Sequence, residues 1–308
     1  MLPFSVGGHS PHSSPLTIGA RALRSCLVAA GLALAVAASA QQILYVAETN
    51  GTILAIAPNK TQTTFATGFN TPKGLAFDSS GNLYVANSVG GTISKITPGG
   101  TVTTFATGLS TPRGIAFDAN GTLFVTNAGT GAIVKIATNG VETTFVNGIA
   151  QIYGIAFDSS GNITTDSQTS KTVSKVTPGG TKSIFASSFT SVAGLAFDSH
   201  GNLFVANSSN SSITEVSSLG VKSTYLTGIA NPNFIAFDAS DNMYVSAGSL
   251  ILEVAPDKTV STFASGLSTP AGLVFSAASA IPEPTTCAAL LGLTALGLVL
   301  VRRRQRAA

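Results

Sequence analysis

Five aspartates recur every 40 residues in this chain of 308, and an evenly spaced set of carboxylates is a candidate for cation binding. They are Asp78, Asp118, Asp158, Asp198 and Asp238. Each opens an Asp-x-x-Gly sequence or a close variant, in which the carboxylate can accept backbone N–H groups while Gly or Asn takes the left-handed conformation. We therefore interpret the aspartates as turn residues, with metal binding as the alternative. Residues that are identical in five copies are expected to stabilise the repeated structure, whereas a single binding site needs residues that differ between copies.

One position of the repeat does vary, and it lies just before the segment GIAFD. It reads Lys73, Arg113, Tyr153, Ala193, Asn233 and Ala271. In the next position Phe234 replaces the Gly found in the other copies. Gly allows close backbone approach, so a Phe there could fill a central space or offer a stacking surface.

The elements that must position these residues follow from the repeat itself. A second aromatic series keeps the 40-residue spacing at Phe65, Phe105, Phe145, Phe185 and Tyr225. Within one period, runs rich in Val, Ile, Phe or Thr predict strands at 114–118, 123–127, 132–136 and 141–146, each ending at a turn that contains Gly or Asn. Four antiparallel strands per 40 residues predict a blade of an all-β propeller.

The ends of the repeat region predict the number of blades. Ile43–Val46 matches a second strand, and Pro270–Phe275 matches a first strand. We therefore predict a six-bladed propeller of four-stranded antiparallel blades, closed by the C-terminal strand joining the N-terminal three. Closure matters because an open array would leave two apolar blade faces in water.

The propeller geometry places the variable residues together. The loop before each first strand and the loop after each second strand open on the same face, opposite the Asp turns. The expected ligand-binding rim therefore comprises Lys73, Arg113, Tyr153, Asn233 and Phe234, joined by polar residues at the second-strand ends: Glu48, Asn87, Asn127, Asp166, Asn207 and Ser246. The alternative is a set of solvated loop residues with no ligand.

The pattern P-x-G-[IL]-A-F-D-x-x-G-N-[LI]-[YF]-V-A-N, seen with small departures at 112–127, resembles the NHL-repeat propellers. More loosely, the chain is similar to the gluconolactonase/regucalcin and streptogramin-lyase propellers. The resemblance covers nearly all of 43–276 and implies the fold, but it does not specify a function.

The N-terminus has the pattern of a secretory signal peptide. Arg21 and Arg24 precede the apolar run LVAAGLALAVA, which ends in Ala38-Ser39-Ala40. The alternatives are a membrane anchor and a buried helix, but the run is short for a membrane span. We predict residues 1–40 as the signal peptide and 41–276 as the propeller.

Residues 277–308 are predicted to be a linker followed by a sorting and anchor segment. Pro282, Glu283 and Pro284 precede 15 apolar or small residues (287–301) and then Arg302, Arg303 and Arg304. This order resembles the PEP-CTERM sorting signal of Gram-negative bacteria. The resemblance implies transient membrane anchoring, processing by an exosortase-type enzyme, and delivery to the cell surface or extracellular matrix; a plain tail anchor is the alternative.

Charge excludes one class of partner. The whole chain has a formal net charge of +3, but residues 41–280 contain ten basic and twelve acidic side chains, a net charge of −2. The basic character therefore belongs to the targeting segments, and no nucleic-acid partner is expected. Both cysteines, Cys26 and Cys287, also lie in those segments, so the exported domain has no disulfide.

The residues favour binding over catalysis. A lactonase-type resemblance would imply a divalent metal held by Glu and Asn/Asp residues, but Lys73 and Arg113 would repel a cation. A lyase-type resemblance would imply a catalytic His, whereas His200, the one histidine of 41–280, falls in a first-to-second-strand turn. We expect a non-enzymatic exported propeller, with no cofactor or metal, that binds an extracellular polysaccharide or a surface protein. The alternatives are a metal-dependent lactone hydrolase or lyase using Glu48, Asp166 and Asn233, and a structural matrix component with no discrete ligand.

Overall fold

A computed structural model describes residues 42–277, which form 24 β-strands and one 3₁₀ turn at Ser208–Asn210. The strands form six four-stranded antiparallel sheets. The N-terminal signal sequence and the C-terminal sorting segment, which were predicted from sequence, lie outside the described residues. Within those residues, no helix is long and apolar enough to cross a membrane.

Each sheet is one blade, and its strands are named here from the inner to the outer position. The inner strands are β24 (Pro270–Phe275), β4 (Pro72–Phe77), β8 (Pro112–Phe117), β12 (Ile152–Phe157), β16 (Leu195–Phe197) and β20 (Pro232–Phe237). The second strands are β1 (Leu44–Glu48), β5 (Leu83–Asn87), β9 (Leu123–Asn127), β13 (Ile163–Ser167), β17 (Leu203–Asn207) and β21 (Met243–Ala247). The third strands are β2 (Thr52–Ile56), β6 (Thr92–Ile96), β10 (Ala132–Ile136), β14 (Thr172–Val176), β18 (Ser212–Val216) and β22 (Leu250–Val254). The outer strands are β3 (Gln62–Thr67), β7 (Val102–Thr107), β11 (Glu142–Val146), β15 (Lys182–Ala186), β19 (Lys222–Thr227) and β23 (Val260–Ala264).

The blades form a closed ring. Each inner strand contacts the inner strand of the next blade, in the order β24, β4, β8, β12, β16, β20 and back to β24. Blade one combines β24 with β1–β3, and Leu44 pairs with Phe275. The predicted six-bladed ring, with the C-terminal strand joining the N-terminal three, is therefore confirmed.

The cores lie between adjacent blades and repeat with the sequence. In blade three, Phe124 packs edge-on against Phe145 of its own outer strand and Phe157 of the next inner strand, with ring centroids 5.3 and 5.2 Å apart. Tyr45, Tyr84 and Tyr244 have the same arrangement, and Phe204 differs in that its contact with Phe237 is tilted. Edge-to-face packing of this kind adds about 0.5–1.5 kcal/mol per pair beyond the burial of area. Blade four is different, because Thr164 occupies the aromatic position and its buried hydroxyl has no partner among the described residues.

A β-bulge interrupts the inner strand of five blades near its start. In blade three Pro112 pairs with Asn127, and the next pair is Ile115 with Val125, so Arg113 and Gly114 together face Thr126. Blades one, two, four and six have the same shift. A bulge re-aims side chains and leaves backbone groups without a ladder partner. The variable residue of the sequence repeat therefore lies at an irregular point of the sheet.

Candidate functional site at the channel mouth

The mouth face is the face on which the inner strands begin and the second strands end. The antiparallel pairing of Pro72 with Asn87 and of Pro112 with Asn127 places both kinds of strand end there. The Asp turns join the other ends of these strands, as expected. In each of the five turns, Oδ1 of the aspartate accepts two backbone N–H groups, as Asp78 does from Ser80 and Asn82 at 2.9 Å. The turn role of the aspartates is confirmed.

The glycine after each rim position is required by the approach of neighbouring inner strands. A Cβ on Gly74 would collide with the carbonyl oxygen of Arg113, and one on Gly272 would collide with that of Lys73. Phe234, at the same position in blade six, is half-buried and packs against the apolar cluster that contains Leu273 of blade one. Its ring therefore fills the space between two blades.

Three adjacent rim residues form a cluster. Lys73, Arg113 and Tyr153 follow one another on the inner strands of blades two, three and four, and all three are half-buried. The Arg113 guanidinium carbon lies 3.6 Å from the centroid of the Tyr153 ring, a close cation–π contact. Burial, together with the nearby charge of Arg113, lowers the pKa of Lys73. These residues are called the basic cluster below.

Asp166 adds a buried carboxyl beside the basic cluster. It lies on β13 opposite the bulge of blade four, and its Oδ1 accepts the Gly154 N–H at 2.5 Å. Burial raises the pKa of Asp166 to about 7, although backbone N–H groups and the charge of Arg113 act in the opposite direction. Its Oδ2 is buried and has no hydrogen-bond partner among the described residues. Near neutral pH this carboxyl group can therefore be either neutral or charged.

The structure corrects the expected grouping of the second-strand residues. Glu48, Asn87, Asn127 and Asn207 are the last residues of their strands, whereas Asp166 and Ser246 lie one position earlier. The side chains at the strand ends bind within their own blade or the loop that leads into it: Asn127 Oδ1 accepts the Ser110 N–H at 2.7 Å, and Asn87 donates to Ser94 at 2.9 Å. A shift of one residue along a strand reverses the face of the sheet. Asp166 therefore lies on the opposite face of its strand from the position that Asn87 and Asn127 occupy in theirs.

The residues opposite the bulges share a function that sequence analysis missed. Each accepts a backbone N–H group from the inner strand. Thr126 accepts the Gly114 N–H at 2.7 Å, Asp166 accepts the Gly154 N–H, and Ser246 accepts the Phe234 N–H at 2.9 Å. Thr126 also donates to the Tyr153 carbonyl at 2.8 Å, which links blades three and four at the rim. A signal was present in the sequence: ITTDS in β13 stands where other copies read LFVAN or LYVAN. Four consecutive buried polar residues in a strand indicate a special environment.

Asn233 and the rim alanines lie on the other half of the ring. Asn233 is half-buried on blade six, and its carbonyl accepts the Gly194 N–H at 2.5 Å. Ala193 and Ala271 are buried. The rim is therefore basic and aromatic on blades two to four and carries no ionisable side chain at these positions on the remaining blades.

The residues that the lactonase-type alternative requires do not fit a metal. Glu48 belongs to blade one and Asp166 to blade four, which are opposite each other in the ring. Glu48 Oε1 is already bound to the Ser268 N–H at 2.6 Å. Within residues 42–277, no group of three or more His, Cys, Asp or Glu side chains is placed to hold a metal ion.

His200 lies in the turn predicted for it, on the face opposite the mouth, with a side chain that is 74% exposed. Its Nδ1 lies 3.2 Å from Oδ2 of Asp241 in the next blade, and Asp241 also accepts the Ser199 hydroxyl at 2.6 Å. Asp241 occupies the position of the turn glycine, with φ of 59°. The cluster joins two turns and is exposed to water.

Comparisons with known proteins support the sorting signal and the fold. Residues 280–304 match the family described as the PEP-CTERM protein-sorting motif. The chain thus carries a sorting motif that implies recognition by an exosortase and indicates export and surface association in Gram-negative bacteria. No curated protein matches the chain.

Several solved structures share the propeller. A chain of the nidogen/laminin complex aligns with a TM-score of 0.71 and 20% identity over 77% of this chain and 99% of that one. A gluconolactonase from Xanthomonas campestris aligns with a TM-score of 0.63 and 15% identity over 75% and 87%. A catalytically inactive virginiamycin B lyase from Staphylococcus aureus, solved with quinupristin, aligns with a TM-score of 0.60 and 15% identity over 78% and 93%. At these identities the likeness shows the fold alone.

Proposed function

We propose that this protein is an exported, non-enzymatic β-propeller that binds a partner or matrix polymer through its mouth face at the cell surface. The observation that carries the proposal is the basic cluster, which makes one half of the rim unlike the other. The sorting motif at 280–304 supports a surface location.

The repeated frame and the bulges support this assignment. The inner strands are fixed by pairing within each blade and by contact with the next inner strand, so the rim side chains extend from a rigid ring. Sites built on rigid elements hold their geometry without an ordering cost at binding. Residues that vary on a uniform frame are those that can recognise a ligand.

The test is the variant in which Lys73, Arg113, Tyr153 and Asn233 are all changed to Ala. We expect it to retain the circular dichroism spectrum of the wild type and to lose binding to extracellular polymer isolated from the producing cells. Unchanged binding to the polymer and to surface proteins would refute the rim assignment and would favour a structural matrix component.

A metal-dependent lactone hydrolase or lyase is the second candidate, and the titration of Asp166 near neutral pH favours it, since general acids and bases often have such values. The positions of Glu48 and Asp166 on opposite blades count against it. Lactone turnover by the purified protein that is abolished by a chelator would establish this candidate and would displace the binding function.

A further inference from the structure

The basic cluster contains two cations that make no salt bridge among the described residues, although the buried Asp166 carboxyl lies near Arg113. The ion pairs found among residues 42–277 are Lys175 with Asp158 and those of His200, so neither Lys73 nor Arg113 takes part in one. Nε of Arg113 is buried and has no hydrogen-bond partner in the same part of the chain. Two half-buried positive charges repel each other. The pKa of Lys73 is lowered mainly by burial and further by the charge of Arg113. An anion placed between them would relieve both costs.

The contact between Arg113 and Tyr153 is compatible with binding of a planar oxyanion. The guanidinium carbon of Arg113 lies 3.6 Å from the centroid of the Tyr153 ring. A guanidinium that lies over an aromatic ring can still use the N–H groups in its plane for a bidentate contact with a carboxylate. Because Nε of Arg113 is buried, the two terminal Nη groups would make this contact. Lys73, from the neighbouring inner strand, would supply a second positive charge.

We propose that Lys73, Arg113 and Tyr153 form a subsite for the carboxylate of an acidic polysaccharide, such as a polymer that contains uronic acids. This inference rests on the proposed binding function and specifies the ligand class for the same site.

The surroundings of the cluster favour a polysaccharide over a protein. A collar of exposed or half-buried residues precedes the rim positions and carries hydroxyl and amide groups but no charge: Thr71, Thr111, Gln151, Asn231 and Thr269. Such groups can bond sugar hydroxyls. Large exposed apolar side chains, which the centre of a protein interface needs, lie mainly near the turns of the opposite face or on the outer strands, for example Val141, Leu219 and Val221. In the described residues only Val89 lies in a mouth-face turn.

Asp166 makes anion binding depend on pH. The groups around it are Arg113 from β8, the backbone of Tyr153 and Gly154 on β12, the paired apolar Val173 on β14, and Leu195 of β16 near Gly154. Lys73 interacts with Arg113. A charged Asp166 competes with the ligand for Arg113 and repels it, whereas a neutral Asp166 does not. We expect affinity to fall as pH rises through about 7, where Asp166 ionises.

The experiment measures binding of full-length protein, purified in detergent, to oligogalacturonate, to its methyl ester and to a neutral galactose oligomer. We expect only the acid to bind, and Lys73→Gln and Arg113→Gln each to weaken it by about 10- to 100-fold, the range of a lost charge-assisted hydrogen bond. Lys258→Gln, in a turn on the opposite face, is the matched control and should bind normally. Asp166→Asn should bind the acid with little change between pH 6 and 8.

Three results would overturn the inference. Equal binding of the acid and its methyl ester would show that the carboxylate is not recognised, while the binding function would still stand. Recovery of a surface protein that binds through the rim, with no oligosaccharide bound, would show that the ligand is not a polysaccharide. Inhibition by free phosphate as strong as that by free galacturonate would show a general anion site in place of a sugar-acid site. Equal binding by the wild type and by the variant in which the four rim residues are changed to Ala would instead refute the proposed function itself.

Discussion

Asp166 is buried in the second strand of blade four, and this location gives a single residue a measurable effect on stability. Burial raises its pKa in the folded protein to about 7 from an ordinary value of 3.8. Between pH 3.8 and about 7, Asp166 is therefore protonated in the folded state and ionised in the unfolded state. Stability is full below about pH 4 with respect to this group, and it falls as pH rises through about 7.

The first prediction concerns this titration. Asp166→Asn should flatten the fall in free energy of unfolding between pH 4 and 7, which for Asp166 alone could reach roughly 4 kcal/mol. Urea denaturation at a series of pH values measures it. Asp257→Asn, in an exposed turn, is the control and should keep the wild-type slope. A slope in Asp166→Asn equal to that of wild type would show that Asp166 does not ionise with the raised pKa.

Asp166 also shows where residue-level interpretation of the sequence failed. It was grouped with Asn87 and Asn127 because all are polar residues near a second-strand end, but the 40-residue period aligns Asn127 with Ser167. Residue type alone could not reveal the face on which a side chain lies. The bulge that pairs Gly154 with Asp166 has no distinctive sequence of its own, so the hydrogen bonds of Thr126, Asp166 and Ser246 required the structure.

At the scale of the elements, contact between inner strands depends on the absence of side chains at one position. A Cβ on Gly114 would collide with the Tyr153 carbonyl oxygen, which belongs to the rigid backbone of the next blade. The role of this Gly was predicted from the repeat, because a close approach near the axis was expected there. The identity of the group approached was not predictable, since it belongs to another blade.

The second prediction tests this contact. Gly114→Ala should lower the free energy of unfolding by about 1–3 kcal/mol, the usual cost of overpacking. Gly99→Ala is the control, because its added Cβ would have only Thr97 Oγ1 nearby at 3.9 Å and its φ is not positive. Denaturant titration compares the two. Equal stability of both variants would mean that the inner strands can separate freely.

The third prediction concerns Thr164, which stands in blade four where other blades have an aromatic ring. Thr164→Phe should raise the free energy of unfolding by about 1–2 kcal/mol, because it adds buried apolar area and removes a buried hydroxyl that has no partner among the described residues. Thermal unfolding measures the gain. The reverse change in blade three, Phe124→Thr, should lower stability by about 3 kcal/mol. A loss of stability in Thr164→Phe would show that blade four has no room for the ring.

At the scale of the whole molecule, the ring was the most predictable feature. The uninterrupted 40-residue period predicted the blades. Because 43–46 matched a second strand and 270–275 matched a first strand, the sequence also predicted that the two ends complete one blade. Strand bounds differed by a residue or two, as in β8, which begins at Pro112 in place of Gly114. The site was less predictable because its contacts join residues about 40 positions apart, such as Arg113 and Tyr153, whose side-chain directions depend on the bulge.

The fourth prediction tests closure of the ring. Two chains that begin at Gln41 are compared, one ending after Ala277 and the other after Ser268, so that only the second lacks β24. The longer chain should unfold cooperatively, whereas the shorter should lose that transition and become sensitive to protease, because β1 and its apolar residues Leu44 and Val46 lose their inner partner. Equal thermal transitions in both chains would show that the ring does not need β24.

The position of β24 has a mechanical consequence. This strand leads into the sorting motif at 280–304, so a pull applied to the chain beyond Ala277 is transmitted first to the innermost strand of blade one. Phe275 pairs with Leu44 at one end of the β24–β1 ladder and Pro270 with Glu48 at the other. Tension along β24 would load these backbone hydrogen bonds in shear, all together, while the neighbouring inner strands β20 and β4 hold β24 from both sides. A propeller held through its C-terminal end would resist drag at that point through the same strand that completes its ring.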